Sequence, residues 1–243
     1  MNIILRDLPK KKVQIDLWPF DIHGGFRGFQ KVPKGLHYVT TLHQQKYVSF
    51  WMFMQSETQV KVFDYEAVSF VEADNETTAT FQEMADSGAM NYALIAFPEV
   101  AVEQWHCLSR YITPENFERI TTIRALDVYN QNNSYTDLLA AYQWAFLKII
   151  VVYPEYLNAQ DMNDWLEWVR VIYAADMKFV AKNVNFYNVF LDLLILHLKL
   201  LPDNYKTETA FIRNGAEQFG KKIEQAEDVE LALKAKQYLF STF

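Results

Sequence analysis

Residues 26–38 read Phe-Arg-Gly-Phe-Gln-Lys-Val-Pro-Lys-Gly-Leu-His-Tyr. Glycine and proline at this density mark turns between short strands. Short runs of β-branched and aromatic residues lie on both sides, at 2–6, 13–17, 36–41, 46–55, 58–65 and 68–72. We predict that the runs at 46–55 and 58–65 form a hairpin, because only residues 55–57 separate them. The pattern indicates an all-β, sandwich-like amino-terminal domain.

The hydrophobic period changes to that of helices after residue 75. We predict helices over 100–111 and 114–123, the second capped by Thr113 with Pro114 in its first position. The polar stretch 130–134 is predicted to separate two domains, 1–124 and 135–243. Ser134 and Asp137 have the spacing of a capping box, which predicts a helix from there to residue 152.

The carboxy-terminal half is predicted to consist of helices. Apolar side chains recur at helical spacing over 164–182, with Asp176 as the one interruption. The stretch 185–201 is apolar nearly all round, which is typical of a buried central helix, and Pro202 ends it. Two further helices are predicted over 209–225 and 228–240. The expected fold class is therefore α+β, a β sandwich followed by an all-α domain.

The net charge of −7 over 243 residues conceals an uneven distribution. Residues 1–61 carry nine Lys or Arg and four Asp or Glu, whereas 62–109 carry nine acidic residues and no basic one. The acidic block is either a solvated face or a docking surface for a basic partner. The negative net charge offers no basic footprint for direct nucleic-acid binding.

Composition excludes several classes of protein. The single cysteine, Cys107, excludes a disulfide framework and a cysteine-based zinc site. No signal peptide is recognised, and the most apolar stretches, 144–152 and 189–201, are too short and too charged to cross a membrane. We therefore expect a cytoplasmic protein without a membrane partner, present in the nucleus as well in a eukaryote.

No constellation in the sequence indicates catalysis. His37 and His43 lack the third ligand of a metal site, and His197 is expected to be buried and hydrogen-bonded in the core. Cys107 follows His106 directly, and because neighbouring helical side chains point about 100° apart, the two do not form a thiolate–imidazole pair. No phosphate-binding, nucleophile-elbow or metalloprotease motif occurs. We predict no catalytic residue, cofactor or metal.

The stretch 26–38 resembles the F-R-G-x-x-x-[IV]-P-x-G-x-H-[FY] pattern of the AAR-two (AAR2, a-one/alpha-two repression) splicing-factor family. A second block at 105–113 is similar to the family's W-x-x-L-[ST]-x-[FY]-I-[ST]. The predicted helices around 139–150, 165–168 and 187–201 follow the family's order. The motif residues are Phe26, Arg27, Gly28, Pro33, Gly35, His37 and Trp105.

The resemblance implies an all-β amino-terminal domain, an all-α carboxy-terminal domain of VHS-like character, and a function that is not enzymatic. Family members are assembly chaperones of the U5 small nuclear ribonucleoprotein. They hold its large scaffold protein until a helicase replaces them, partly by strand addition. The implied partner in a eukaryote is therefore that spliceosomal scaffold protein.

Two other interpretations stay open. Eukaryotic family members have a longer insert between the domains and usually a longer tail, whereas only 124–134 connect the halves here. The chain is therefore also compatible with a compact prokaryotic or organellar relative that binds another protein or a small molecule. An enzyme would need a deep pocket beside His37, His43 or Cys107. The motif glycines and Pro33 are expected to set turn geometry, and Arg27 and His37 either bond to the turn or contact a partner.

Overall fold

The computed structural model describes residues 1–9, 12–130 and 132–206, together with 215, 218–223, 230–234 and 236. The chain divides into two compact units, Met1–Pro114 and Glu115–Phe243. The first unit contains two β-sheets and the second is helical, which confirms the expected α+β class. The domain bounds 1–124 and 135–243 stay a prediction, because compactness does not say which segment folds independently.

Nine strands form two sheets in the described part of the first unit. They are β1 (Asn2–Arg6), β2 (Lys12–Ile15), β3 (Trp18–Asp21), β4 (Gly28–Gln30), β5 (Gly35–His43), β6 (Lys46–Met54), β7 (Thr58–Asp64), β8 (Ser69–Glu72) and β9 (Leu94–Ala96). A five-stranded sheet has the order β8-β7-β1-β4-β9, and a four-stranded sheet has the order β3-β2-β5-β6. The four-stranded sheet is antiparallel throughout, whereas β1 with β7 and β4 with β9 are parallel pairs.

The predicted hairpin between the strands at 46–55 and 58–65 is wrong. β6 pairs with β5 in one sheet and β7 pairs with β1 in the other, so residues 55–57 carry the chain between sheets. The Asn2 amide donates to the Glu57 carbonyl (2.7 Å), which places β7 beside β1. Alternation along a strand identifies its buried side chains but not the strand it pairs with, so the sequence pattern did not exclude this crossing.

The two faces of the five-stranded sheet belong to different apolar clusters, because successive residues of a strand point to opposite faces. One cluster draws on both sheets and contains Ile3, Leu5, Val13, Ile15, Phe29, Val32, Val39, Met52, Met54, Phe97 and Ala101. The other contains Ile4, Val60, Met90 and Leu94, with Ala73 and Phe81 packed against it. The sheet is therefore covered on both faces.

Two helices complete the first unit, α1 (Asn75–Asp86) and α2 (Glu99–Ser109). The Asp74 carboxylate caps α1 by accepting a hydrogen bond from the Thr77 amide (2.7 Å). No residue of α1 is fully buried, so its charged side chains lie in solvent. α2 confirms the helix predicted at 100–111, and it buries Trp105 and Leu108.

The described helices of the second unit are α3 (Phe117–Ile120), α4 (Tyr135–Ile150), α5 (Ala159–Ala174), α6 (Met177–Lys182), α7 (Val184–Leu200) and α8 (Asp203–Lys206). The Ser134 cap is confirmed, since its hydroxyl accepts from the Asp137 amide (3.1 Å). The interruption at Asp176 is the start of α6, where its carboxylate accepts from the Phe179 amide (2.9 Å). The predicted helices at 209–225 and 228–240 lie largely outside the described residues.

The helix predicted at 114–123 begins later than expected. Residues 114–116 form a turn, and α3 starts at Phe117 with Asn116 at its amino-terminal end, so Thr113 is not its cap. Proline fixes φ near −65°, which suits a turn as well as the first position of a helix. Thr113 and Pro114 therefore mark a turn that precedes the helix, rather than the first residues of the helix itself.

α7 is the buried helix expected at 185–201. His197 lies within it, fully buried, with its ring stacked on Phe146 at 3.8 Å between centroids and 6° between planes. Neither ring nitrogen of His197 has a hydrogen-bond partner among the described residues. The expected burial is confirmed, and the expected hydrogen bond is not found there, because aromatic rings occupy that side of the helix. Among the helices that the structure describes, none combines the length and apolar character needed to cross a membrane.

Candidate protein-binding site

The motif at 26–38 contains the segment that connects the two sheets. Gly28 begins β4 of the five-stranded sheet, and Gly35 begins β5 of the four-stranded sheet. Lys31, between them, adopts a left-handed backbone conformation with φ of 57°. The Val32 amide donates to the Met1 carbonyl (2.9 Å), which holds the connection against the residue before β1. The motif therefore fixes how one sheet leads into the other.

Gly28 is required by the close approach of two strands. It pairs with Ile4 of β1, and its φ of 144° is a conformation that favours glycine. A Cβ atom at this position would lie 1.9 Å from the Ile3 carbonyl oxygen. Any other residue would push β4 away from β1. Gly35 also has a left-handed φ, of 130°, but a Cβ there would meet open space.

His37 is fully buried and bonded on both sides of its ring. Its Nε2 donates to the Pro33 carbonyl (2.9 Å), and its Nδ1 lies 2.8 Å from Oδ2 of Asp16. The other Asp16 oxygen accepts from the Tyr38 amide (2.9 Å). Burial raises the pKa of the Asp16 carboxyl, although His37 and the Tyr38 amide oppose that rise. Both ring nitrogens of His37 are therefore occupied by hydrogen bonds within the protein, and neither is available to a ligand.

Trp105 holds α2 against the same turn. Its indole N–H donates to the Leu36 carbonyl (2.6 Å), and its ring lies nearly parallel to that of His37, with 6.3 Å between centroids. Phe97 contacts the His37 ring edge-on at 5.7 Å. Because the Leu36 carbonyl and the indole are both buried, losing this hydrogen bond would leave a polar group unsatisfied in the core.

Phe26 and Arg27 form the exposed end of the motif. The Arg27 backbone is fixed on both sides, since its amide donates to the Ala93 carbonyl and its carbonyl accepts from the Leu5 amide, each at 2.8 Å. Its side chain is exposed and forms no hydrogen bond or ion pair with another described residue. Phe26 is half-buried and packs edge-on against Phe29 at 5.4 Å. The Arg27 main chain is thus part of the hydrogen-bonded framework, whereas its guanidinium is exposed and can contact a partner.

A cleft of about 480 Å³ lies beside this exposed end, and we name it the Arg27 cleft. Apolar side chains that line it are Leu5, Leu8, Ile22, Phe26 and Phe63. Leu8, Ile22 and Phe26 also pack against the apolar cluster that draws on both sheets, so the cleft continues that core toward the surface.

The remaining lining of the Arg27 cleft is polar or small. Among the residues that the structure describes, it consists of Asp7, His23, Gly24, Gly25, Arg27 and Tyr65. The cleft therefore has apolar walls and a few charged groups, which is the usual make-up of a binding pocket.

The other residues singled out in the sequence do not converge on a reactive site. His37 is sealed by its two hydrogen bonds, whereas the His43 ring packs against Phe63 and Tyr65, each at 5.4 Å. Cys107 is partly buried on α2. No group of three or more His, Cys, Asp and Glu side chains in the described residues is arranged to hold a metal ion.

Sequence reasoning missed the role of Asp16 and the existence of the Arg27 cleft. The strand predicted at 13–17 includes Asp16, but β2 ends at Ile15 and Asp16 follows it with a left-handed φ of 55°. A polar residue that ends a strand in front of a turn is the available signal for a buried pairing. The cleft gave no such signal, because its lining residues come from three separate segments of the chain, 5–8, 22–27 and 63–65.

Comparison with known protein families gives two matches. The family described as the AAR2 N-terminal domain matches residues 1–122, and the one described as the AAR2 C-terminal repeat region matches 97–243. A search of curated proteins finds no significant match. The two family matches overlap and together span the whole chain, with the motif at 26–38 inside the first and most of the described helices inside the second. The chain therefore belongs to the AAR2 family.

Proposed function

We propose that this protein is a non-catalytic, protein-binding assembly factor whose partner is the large scaffold protein of the U5 small nuclear ribonucleoprotein. The observation that carries the proposal is the match of both halves of the AAR2 family across the whole chain. A family that works by holding another protein needs both a rigid framework and surface groups left free to bind. The motif at 26–38 has that division between buried and exposed residues.

The buried residues support a framework role. Asp16 bonds to His37 and to the Tyr38 amide, and His37 also bonds to the Pro33 carbonyl. Trp105 donates to the Leu36 carbonyl in the same turn, so these buried polar groups have partners inside the first unit. Arg27 differs, because its guanidinium is exposed while its backbone is fixed. A guanidinium on a fixed backbone loses little backbone freedom when a partner binds, which favours a contact role for this residue.

One observation favours a second candidate, a compact relative with a different protein or small-molecule ligand. The two family matches overlap over 97–122, so no inserted segment separates the two matched halves. After α3 the chain forms a short 3-10 helix at Ala125–Tyr129, and α4 begins soon afterwards at its cap residue Ser134. A family member without the insert lacks whatever contacts that segment contributes elsewhere.

An affinity pull-down from extract of the protein's own cells tests the proposal. The full chain carries the tag, the tag alone is the control, and mass spectrometry identifies the proteins retained. Recovery of the spliceosomal scaffold protein in amounts comparable to the bait supports the proposed function. Recovery of a different stable protein, or of none, contradicts it and leaves the compact relative with another ligand as the remaining candidate.

A further inference from the structure

The Arg27 cleft has three features that bear on the chemistry of an occupant. Its walls leave apolar side chains only partly covered, its rim holds an exposed guanidinium, and one side is formed by two consecutive glycines, Gly24 and Gly25. Each feature points to an occupant of a particular chemistry.

Gly24 is the first feature. Its φ is not left-handed, and a Cβ placed on it would have no neighbour within 4 Å. Neither conformation nor packing therefore calls for glycine at this position, in contrast to Gly28. Gly24 is one of the residues that line the cleft, so glycine leaves that part of its lining without a side chain.

The apolar walls are the second feature. Leu8 and Ile22 are only half-buried, and the ring of Tyr65 is 52% exposed. At about 480 Å³, the cleft lies within the ~300–1,000 Å³ range of ligand pockets. Surfaces of this kind gain free energy when an apolar group covers them. They therefore favour an apolar or aromatic side chain as the inserted group.

Charge is the third feature. Arg27 has no ion-pair partner among the described residues, and a guanidinium binds a carboxylate through two parallel hydrogen bonds. The surrounding sequence has the same sign, since residues 1–61 carry nine basic and four acidic side chains. Asp7 also lines the cleft, and its negative charge opposes the binding of an acidic segment. His23 and Tyr65 are the other titratable side chains among the described residues that line the cleft.

We propose that the Arg27 cleft binds an acidic segment of a protein partner, which inserts one apolar or aromatic side chain between Leu8, Ile22 and Tyr65 and places a neighbouring carboxylate on Arg27. The proposal rests on the proposed function to the extent that the ligand is a protein. It adds the location of the contact and the chemistry of the bound segment.

A phage-displayed library of short random peptides provides the probe. The full chain is the bait, and binders to the Gly24→Val variant, which adds a side chain to a residue that lines the cleft, are removed beforehand. Enriched sequences are expected to carry an aromatic or large aliphatic residue beside Asp or Glu. Enrichment of basic or uncharged sequences, or of none that distinguish the two baits, would overturn the proposal.

Variants of the rim then separate charge from shape. Measured by fluorescence anisotropy with the best enriched peptide, Arg27→Gln should weaken binding by about fivefold or more, because it removes a charge-assisted contact. Asp7→Asn should tighten binding by roughly twofold, since it removes an opposing charge. Arg110→Gln is the matched control, an exposed arginine of the same unit that does not line the cleft, and should leave affinity unchanged. Equal effects of Arg27→Gln and Arg110→Gln would contradict the assigned site.

The same variants separate this proposal from the proposed function. If Arg27→Gln loses the peptide but still recovers the scaffold protein in a pull-down, the function stands and the assigned role of the cleft is wrong. If the peptide binds as expected and no scaffold protein is recovered, the cleft stands and the proposed partner is wrong. Circular dichroism checks that Gly24→Val is folded, and Arg27→Gln carries the test alone if it is not.

Discussion

Three glycines of the first unit provide a graded test of how the motif builds the fold. Gly24 has neither a left-handed φ nor a close neighbour, Gly35 has a left-handed φ in open space, and Gly28 has both constraints. Substituting each by alanine adds the same methyl group in three different environments. The structure therefore predicts three different losses of unfolding free energy.

The magnitudes follow from the geometry. Gly24→Ala should change the unfolding free energy by less than about 1 kcal/mol, and the change should be stabilising if anything. Gly35→Ala should cost about 1–2 kcal/mol, the penalty for a Cβ in a left-handed conformation. Gly28→Ala has that penalty and also places its Cβ 1.9 Å from the Ile3 oxygen, where real contacts exceed 3.0 Å. Moving β4 away from β1 adds about 1–3 kcal/mol.

Urea unfolding of the full chain, followed by tryptophan fluorescence, measures the three values. Hydrogen exchange at the Leu5 amide provides a local reading, because that amide bonds to the Arg27 carbonyl one residue before Gly28. Exchange there should accelerate most in Gly28→Ala. A loss in Gly28→Ala no larger than in Gly35→Ala, or a loss above about 1 kcal/mol in Gly24→Ala, would refute the reasoning.

Three further expectations concern buried or paired groups. Burial holds the pKa of His197 well below its ordinary 6.5, so the unfolded chain takes up the proton first. His197 should therefore contribute a loss of stability of about 1.4 kcal/mol per pH unit below pH ~6.5 in urea unfolding, and His197→Gln should remove that contribution from the measured slope. Trp105→Phe removes the indole donor to the Leu36 carbonyl and should cost about 1–3 kcal/mol by the same assay, whereas an unchanged midpoint would contradict that hydrogen bond. Arg119 binds Asp137 through two hydrogen bonds of 2.9 Å and lowers the pKa of that carboxyl, but Arg119 is largely exposed. Arg119→Ala should lower the thermal unfolding midpoint only slightly, because solvent screens the exposed guanidinium, and the loss should shrink in high salt if the pair is the cause.

Local features of the fold were predictable because they depend on neighbouring residues. The β1 strand, the Ser134 cap and the break at Asp176 each depend on a few adjacent side chains and their backbone, and the structure confirms all three. Burial of α7 was equally accessible, since its apolar residues leave no polar face for solvent.

Pairings between distant segments were not predictable from the pattern. The parallel pair of β1 with β7 joins residues more than fifty positions apart, and the residues of either strand do not indicate which other strand it pairs with. The bond between His37 and Asp16 spans 21 residues and appears only once the turn is built. The sequence placed His37 and Arg27 in one motif, and the structure separates them, burying the first and exposing the second.

The central claim is that Arg27 contacts a partner while the rest of its motif builds the fold. The most direct test compares wild-type protein with Arg27→Gln in two readouts on one preparation, thermal unfolding and recovery of the partner by pull-down from extract of the protein's own cells. We expect an unchanged unfolding midpoint with most of the partner lost. A lowered midpoint, or full recovery of the partner by the folded variant, would contradict the claim.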